Sequence, residues 1–324
     1  KTAYEIKECD WSSDVCSSDL QWRLVRRRLA PVTSSVRSVL VDKAPAKVNL
    51  TLAVMGRRAD GFHLLESIVV FAGVADRLTF RPGGELSLKV SGKGADAAGP
   101  IDNNLVIRAA RALAAEVPGL KVGRFTLTKH LPVAAGVGGG SSDAAAALRL
   151  LARANRLSLN DKRLYKAGKK IGADVPVCID PRARTMKGIG EKLSAPLKIP
   201  SFPAVMINPG VALPTRDVFA ALHRAQWKRQ RALRAGGIPR ERNAFASYLE
   251  GRANDLEPPA ISLQPAIAKV LAELRKSDGC RLARMSGSGA TCFGLFTSPR
   301  AASAAARKIA AAHKRWWVRA TVLG

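Results

Sequence analysis

From 44 to 54, β-branched and apolar residues alternate with polar ones, the period of two that makes a half-buried strand. Lys47 and Asn49 stand two apart in it and so share a face. A polar turn follows, carrying Asp60, Gly61, Phe62 and His63. Further strands are predicted at 66–72, 76–81, 85–91 and 122–128. Before the last of these, Asn103 and Asn104 cap a helix over 105–116, with Leu105, Ala109, Ala112 and Leu113 on one apolar stripe.

Downstream, an alanine-rich helix occupies the 140s and early 150s, and a short basic helix spans 161–171. A strand is expected to resume after Pro176, and the turn signals of 180–200 place a domain boundary there. A strand at 204–207, a loop, and a helix over 216–234 come next. Residues 236–252 are rich in glycine and charge and read as a mobile stretch. A helix at 264–276, two strands flanking Ser286-Gly-Ser-Gly-Ala-Thr, a helix at 299–314 and a strand at 317–322 complete the chain. The order predicts an α+β protein of two domains, 38–196 and 197–324. Residues 1–37 contain a near-tandem Ser-Ser-Asp repeat and a basic stretch without element periodicity; they read as a non-native or disordered extension and are set aside.

One stretch carries a chemical signal. Pro132, Val133, Ala134 and Ala135 lead into Gly136, Val137, Gly138, Gly139 and Gly140, then Ser141, Ser142 and Asp143. Glycines allow the backbone to approach a bulky anion, and Ser141, Ser142 and Asp143 are good N-caps for the alanine run behind them. A glycine loop feeding a helix start gathers free N–H groups and the positive dipole end at one point, which suits a phosphate. No Gly-Lys-Ser/Thr follows, so this is not a Walker A loop.

Composition changes the picture in two places. With 324 residues, 47% of them hydrophobic, about two packed domains are possible, and no apolar run is long enough to span a membrane. The formal net charge of +28 would suit nucleic acid, nucleotides or other acidic substrates. Basic residues are spread out, however, and the densest cluster, 224–242, has only Trp227 among its aromatics, so it reads as a solvated helix face. The five scattered cysteines, Cys9, Cys16, Cys178, Cys280 and Cys292, lack metal-ligand spacing and suit reduced thiols in the cytoplasm. His130, His223 and His313 have no supporting pattern.

Three segments together, Pro45-Ala-Lys-Val-Asn-Leu, Pro132 to Ala144 and Ser286-Gly-Ser-Gly-Ala-Thr, resemble the three motifs of the GHMP kinase superfamily, in the same order. Arg58-Ala-Asp-Gly-Phe-His, Gly172-Ala-Asp-Val-Pro, Gly188-Ile-Gly-Glu and Asn254-Asp-Leu-Glu are similar to the branch that phosphorylates a cytidine diphosphate-linked methylerythritol. The resemblance covers about 40–324 and implies a ribosomal-protein-like N-terminal α/β domain with a ferredoxin-like C-terminal one. It implies ATP with Mg²⁺, a small-molecule substrate, no specific nucleic-acid or membrane partner, and a monomer or homodimer.

The resemblance also implies residue roles. Asp174 is the expected general base and Lys47 the cation that steadies it and the developing charge. Residues 132–142 are expected to bind ATP. Asn49, Phe62, His63, Thr215, Phe219, Ser286, Gly287, Ser288 and Gly289 are expected to contact substrate. Phe62 would stack on cytosine where the family usually has Tyr, His63 would bond its edge, and Phe219 would supply a second face. No carboxylate cluster offers a metal site; Ser142 is the one suggested Mg²⁺ ligand. The competing readings are a homoserine- or mevalonate-type kinase and a basic RNA-binding protein.

Overall fold

The computed structural model describes residues 39–95, 99–133, 135–222 and 237–324. Expectations for 1–37, Ala134, His223, Trp227 and most of the basic 224–242 cluster lie outside them.

The first sheet is built on β3 (His63–Pro82), a 20-residue strand. β1 (Leu40–Asn49) and β2 (Ala53–Arg57) pair antiparallel with it, as do β5 (Gly123–Lys129) and β6 (Arg184–Gly188). β4 (Ser87–Gly92) runs parallel to β5, and β7 (Lys192–Leu193) pairs with β6. The predicted break between 72 and 76 is absent. Gly73 is not a turn there: a Cβ would lie 3.2 Å from Thr321 Oγ1, and the Val74 N–H donates to that hydroxyl at 3.1 Å. The glycine gives room for a crossing strand.

Four helices cover this sheet: α1 (Leu105–Glu116), α2 (Gly139–Ala154), α3 (Lys162–Ile171) and α4 (Val175–Ile179). Asn104 caps α1 through Val106 N and Asp161 caps α3 through Arg163 N, as their residue types dictate. Ala144 to Ala147 and Ala152 of α2 are buried, so α2 lies close to its neighbours in a core that holds the stacked pair Phe80 and Phe125. The strand expected after Pro176 is instead α4: Pro176 is its second residue, where a missing N–H costs nothing.

The second sheet contains β8 (Phe202–Asn208), β9 (Cys280–Met285), β10 (Cys292–Phe296) and β11 (Trp317–Leu323). Its spatial order, β11-β8-β10-β9, is antiparallel throughout, the ferredoxin-like arrangement. The helices of this part are α5 (Thr215–Ala220), α6 (Arg242–Glu250), α7 (Glu257–Leu263), α8 (Ala266–Arg275) and α9 (Pro299–Ala312). The stretch read as mobile is in part α6, because the Glu241 carboxylate accepts from Asn243 N and Ala244 N and starts a helix. β11 joins the two sheets where Leu323 pairs with Ala72. No helix among the described residues is long and apolar enough to cross a membrane.

Candidate functional site

At Pro45 the chain has no N–H to give the ladder, and the β1–β3 register shifts between Pro45 and Lys47. The Lys47 N–H therefore leaves the sheet and donates to Val137 O at 2.9 Å, tying β1 to the glycine loop. The Lys47 side chain, buried along its stem, reaches Asp174 Oδ2 at 2.6 Å. Asp174 stands at the start of α4 without capping it, so its carboxylate is free to turn toward the lysine.

The loop closes around this pair. Gly138 has φ +61°, and a Cβ on it would lie 3.4 Å from Lys47 Cβ and Cε. Gly136 has φ +71°, and its Cβ would fall 2.5 Å from Gly289 O and 2.7 Å from Ser286 O. Two backbone turns from distant stretches are packed together here, and only glycine fits between them. The helix begins differently from expectation. Gly138, in the left-handed region, is the N-cap, while Ser142 donates to Pro45 O at 2.7 Å and the Asp143 carboxylate faces Lys129. Ser142 is thereby turned away from the cavity and does not fit as a metal ligand.

A cavity of about 390 Å³ is lined by Lys47, Asn49, Asp174, Gly136, Gly138–Gly140 and Ser141, with Thr215, Gly287 and Ser288 opposite. Asn49 Nδ2 donates to Ser67 Oγ, while its buried Oδ1 has no partner among the described residues. Thr215 and Ser288 share a hydrogen bond of 2.8 Å across the mouth. A second cavity, about 610 Å³, adjoins it through Leu65, Ile189, Thr215 and Phe219 and contains Arg57, Phe62 and His63. Phe62 is 59% exposed, and the face of Phe219 is taken by the His63 ring at 4.8 Å. Burial, with help from the Arg57 charge, holds His63 below its usual pKa. Pro132 and Val133 line a smaller recess with Gly139 and Gly140, and Ala135 lines the main cavity.

Not every expected residue faces this space. Ser286 is fully buried: its hydroxyl accepts from Asn49 N at 3.1 Å and donates to Gly136 O at 3.2 Å. Val137 is buried in the apolar core, and Gly289 sits behind the turn against Gly136. These three shape the site without lining it.

Two features went unforeseen. Asn254 Nδ2 donates to Met285 O and Gly287 O, fixing the second turn. Behind the loop, Lys129 is clasped by Asp76 and, at 2.7 Å, by Asp143. Burial, and then the Asp76 carboxylate, lift Asp143 to about 7 against the pull of Lys129. A signal for this cluster existed: Phe125, Leu127 and Lys129 alternate onto the buried face of β5, and Asp76, Leu78 and Phe80 do so on β3.

Residues 104–180 match the family model for the GHMP kinases N terminal domain, and residues 232–315 that for the GHMP kinases C terminal. The fold is that of a GHMP kinase. The 4-diphosphocytidyl-2-C-methyl-D-erythritol kinase of Methylobacterium radiotolerans is 56% identical, over 88% of this chain and 99% of its own. That of Azorhizobium caulinodans is 54% identical over 88% and 99%. A crystal structure of 4-(cytidine 5'-diphospho)-2C-methyl-D-erythritol kinase, 35% identical, superposes with a TM-score of 0.74 over 88% of this chain and 100% of that one. The chain belongs to the 4-diphosphocytidyl-2-C-methyl-D-erythritol kinase family.

Proposed function

We propose that this chain performs the reaction for which its relatives are named, with ATP as phosphoryl donor. The γ-phosphoryl group passes to the 2-hydroxyl of 4-(cytidine 5'-diphospho)-2-C-methyl-D-erythritol, a step of the non-mevalonate route to isoprenoid precursors. The observation that carries the reading is the Lys47–Asp174 pair, held against the glycine loop in a cavity that opens toward Phe62, His63 and Phe219.

Phosphoryl transfer needs positioning and charge stabilisation more than covalent help. Asp174 receives the proton of the attacking hydroxyl as its oxygen bonds to phosphorus, and the bond from phosphorus to the ADP oxygen breaks. Lys47 keeps Asp174 aimed and offers positive charge to the phosphoryl oxygens. The backbone of Gly136 and of Gly138 to Ser141, with Pro132, Val133 and Ala135 beside it, holds the triphosphate. Asn49 Oδ1, Thr215 and the turn at Gly287 and Ser288 hold the erythritol and diphosphate. Phe62 stacks on cytosine, and neutral His63, backed by Phe219, bonds its edge.

Mg²⁺ accompanying ATP would neutralise β- and γ-phosphate oxygens. The described residues contain no group of three acid, histidine or cysteine side chains suited to a metal. Asp174 and Asp143 are engaged by lysines, so phosphate and water are proposed as its main ligands. The division at 196/197, with β6 and β7 before it and β8 after it, remains our proposal for the domain boundary. So do a cytoplasmic setting, a monomer or homodimer, and the absence of a specific nucleic-acid partner.

The test is ADP release by purified protein with the cytidine diphosphate substrate, homoserine or mevalonate, and an Asp174→Ala control. Faster turnover of either rival substrate would overturn the reading.

A further inference from the structure

A cavity of about 470 Å³ lies apart from the catalytic one, between β9, the 252–258 segment and the end of α8. Its walls hold four arginines, Arg252, Arg275, Arg281 and Arg284, against two carboxylates, Asp255 and Glu257. Those carboxylates are already engaged. Asp255 accepts from Val54 N at 2.8 Å and Glu257 from Met285 N at 2.8 Å.

The arginines are left short of counter-charge. Arg275 stands 3.9 Å from Glu257, and Arg281, whose Nη1 donates to Asn243 Oδ1 at 2.9 Å, stands 3.6 Å from Glu250; both ion pairs are longer than charge-assisted hydrogen bonds. Arg284 is buried, and among the described residues its guanidinium hydrogen-bonds to carbonyls, those of Leu50, Leu249 and Arg252. Burial pushes it down to about 10 against the opposing pull of the Glu257 charge. Arg252 lies over the Tyr248 ring at 3.5 Å, and its buried Nε has no hydrogen-bond partner among the described residues. A concave site walled by four arginines, facing two carboxylates that already accept from the backbone, suits an anion.

We propose that this cavity is a second binding site, for a phosphate-bearing small molecule, held by Arg252, Arg275 and Arg281 over the fixed charge of Arg284. A diphosphate carries the negative charge to face several arginines at once, and Pro258, Leu282 and Ala283 in the wall would tolerate a short apolar substituent. The site is independent of the catalytic reading. It shares one residue with the catalytic neighbourhood, Asn254, whose amide also holds the Gly287 carbonyl.

The experiment is calorimetric titration of the full chain at about 0.15 M salt, where exposed-charge attraction is damped. A non-hydrolysable ATP analogue and the cytidine diphosphate substrate are both held at saturation so that the phosphate positions of the catalytic cavity are filled. The probes are inorganic diphosphate and, separately, a short-chain monoalkyl diphosphate. One saturable binding event is expected with at least one probe, and the tighter of the two assigns an inorganic or an organic ligand. The Arg275→Ala/Arg281→Ala double variant should bind about tenfold more weakly or worse, as when charge-assisted bonds are removed. Its kinase turnover should match that of the unmodified protein, which reports a sound fold. No saturable heat with either probe, or equal affinity in the double variant, overturns the proposal.

Discussion

Lys47 Nζ and Asp174 Oδ2 lie 2.6 Å apart although 127 positions separate them in the chain. The lysine is buried and the aspartate half-open, so the carboxylate is the member of the pair that a substrate hydroxyl can reach. Asp174→Asn is expected to lower kcat by about 10²–10⁴-fold, the usual reach of a positioned base. ATP affinity, measured by titration, should stay unchanged. A variant with normal kcat would remove Asp174 from the role of base.

The loop glycines should respond in a graded way. At Gly138 a methyl group meets the flexible stem of Lys47, and a non-glycine residue there carries about 1–3 kcal/mol of backbone strain. Gly138→Ala is expected to fold, with a lower melting temperature and weaker ATP binding. Gly136→Ala drives its methyl group into the Gly289 and Ser286 carbonyls and should cost more on both measures. Equal melting temperatures for the two variants would contradict the docking of one turn on the other.

The aromatic cavity predicts effects on KM. Phe62→Ala should raise KM for the cytidine substrate by the equivalent of about 1–3 kcal/mol, the value of one base-stacking contact, and leave KM for ATP alone. His63, its pKa held below the ordinary imidazole value by burial and the Arg57 charge, favours the neutral form and gains a proton only on acidification. Protonation removes its acceptor nitrogen and adds charge near Arg57. Substrate KM should therefore climb on acidification, and a His63→Gln variant should lose that climb.

Asp143 gives a stability signature. Its folded-state pKa is raised to about 7, so between the ordinary carboxylate range and 7 the folded state holds a proton that the unfolded state has released. Stability from this group therefore falls as pH rises through that window. Melting temperatures between pH 5 and 8 should decline more steeply for the unmodified protein than for Asp143→Asn, in which Lys129 keeps Asp76 alone. Parallel curves would show that Asp143 does not titrate there.

Much of this was legible in the sequence, for identifiable reasons. α1 and α3 begin where Asn104 and Asp161 place them, because caps are local chemistry. Lys47 and Asn49 share a face because strand geometry fixes that from spacing alone. What the sequence could not convey was direction over longer range. Ser141 and Ser142 are neighbours of one residue type, yet helical rotation sends the first to the cavity and the second to the Pro45 carbonyl. Gly73 looked like a break because its reason, Thr321, arrives nearly 250 positions later. Ser286 likewise became a bolt between three backbone segments instead of a substrate contact.

At Gly136 and along Gly138–Gly140, part of the wall of the main cavity is main chain, contributed by residues with no side chain of their own. An inhibitor designed to read those peptide groups would touch a surface that point mutation alters only at a cost: at Gly136 a replacement collides with the opposing turn, and at Gly138 and Gly140 it meets the Lys47 and Leu105 side chains. Resistance would then have to arise farther out, among the aromatic rings, where substitutions also weaken the natural substrate.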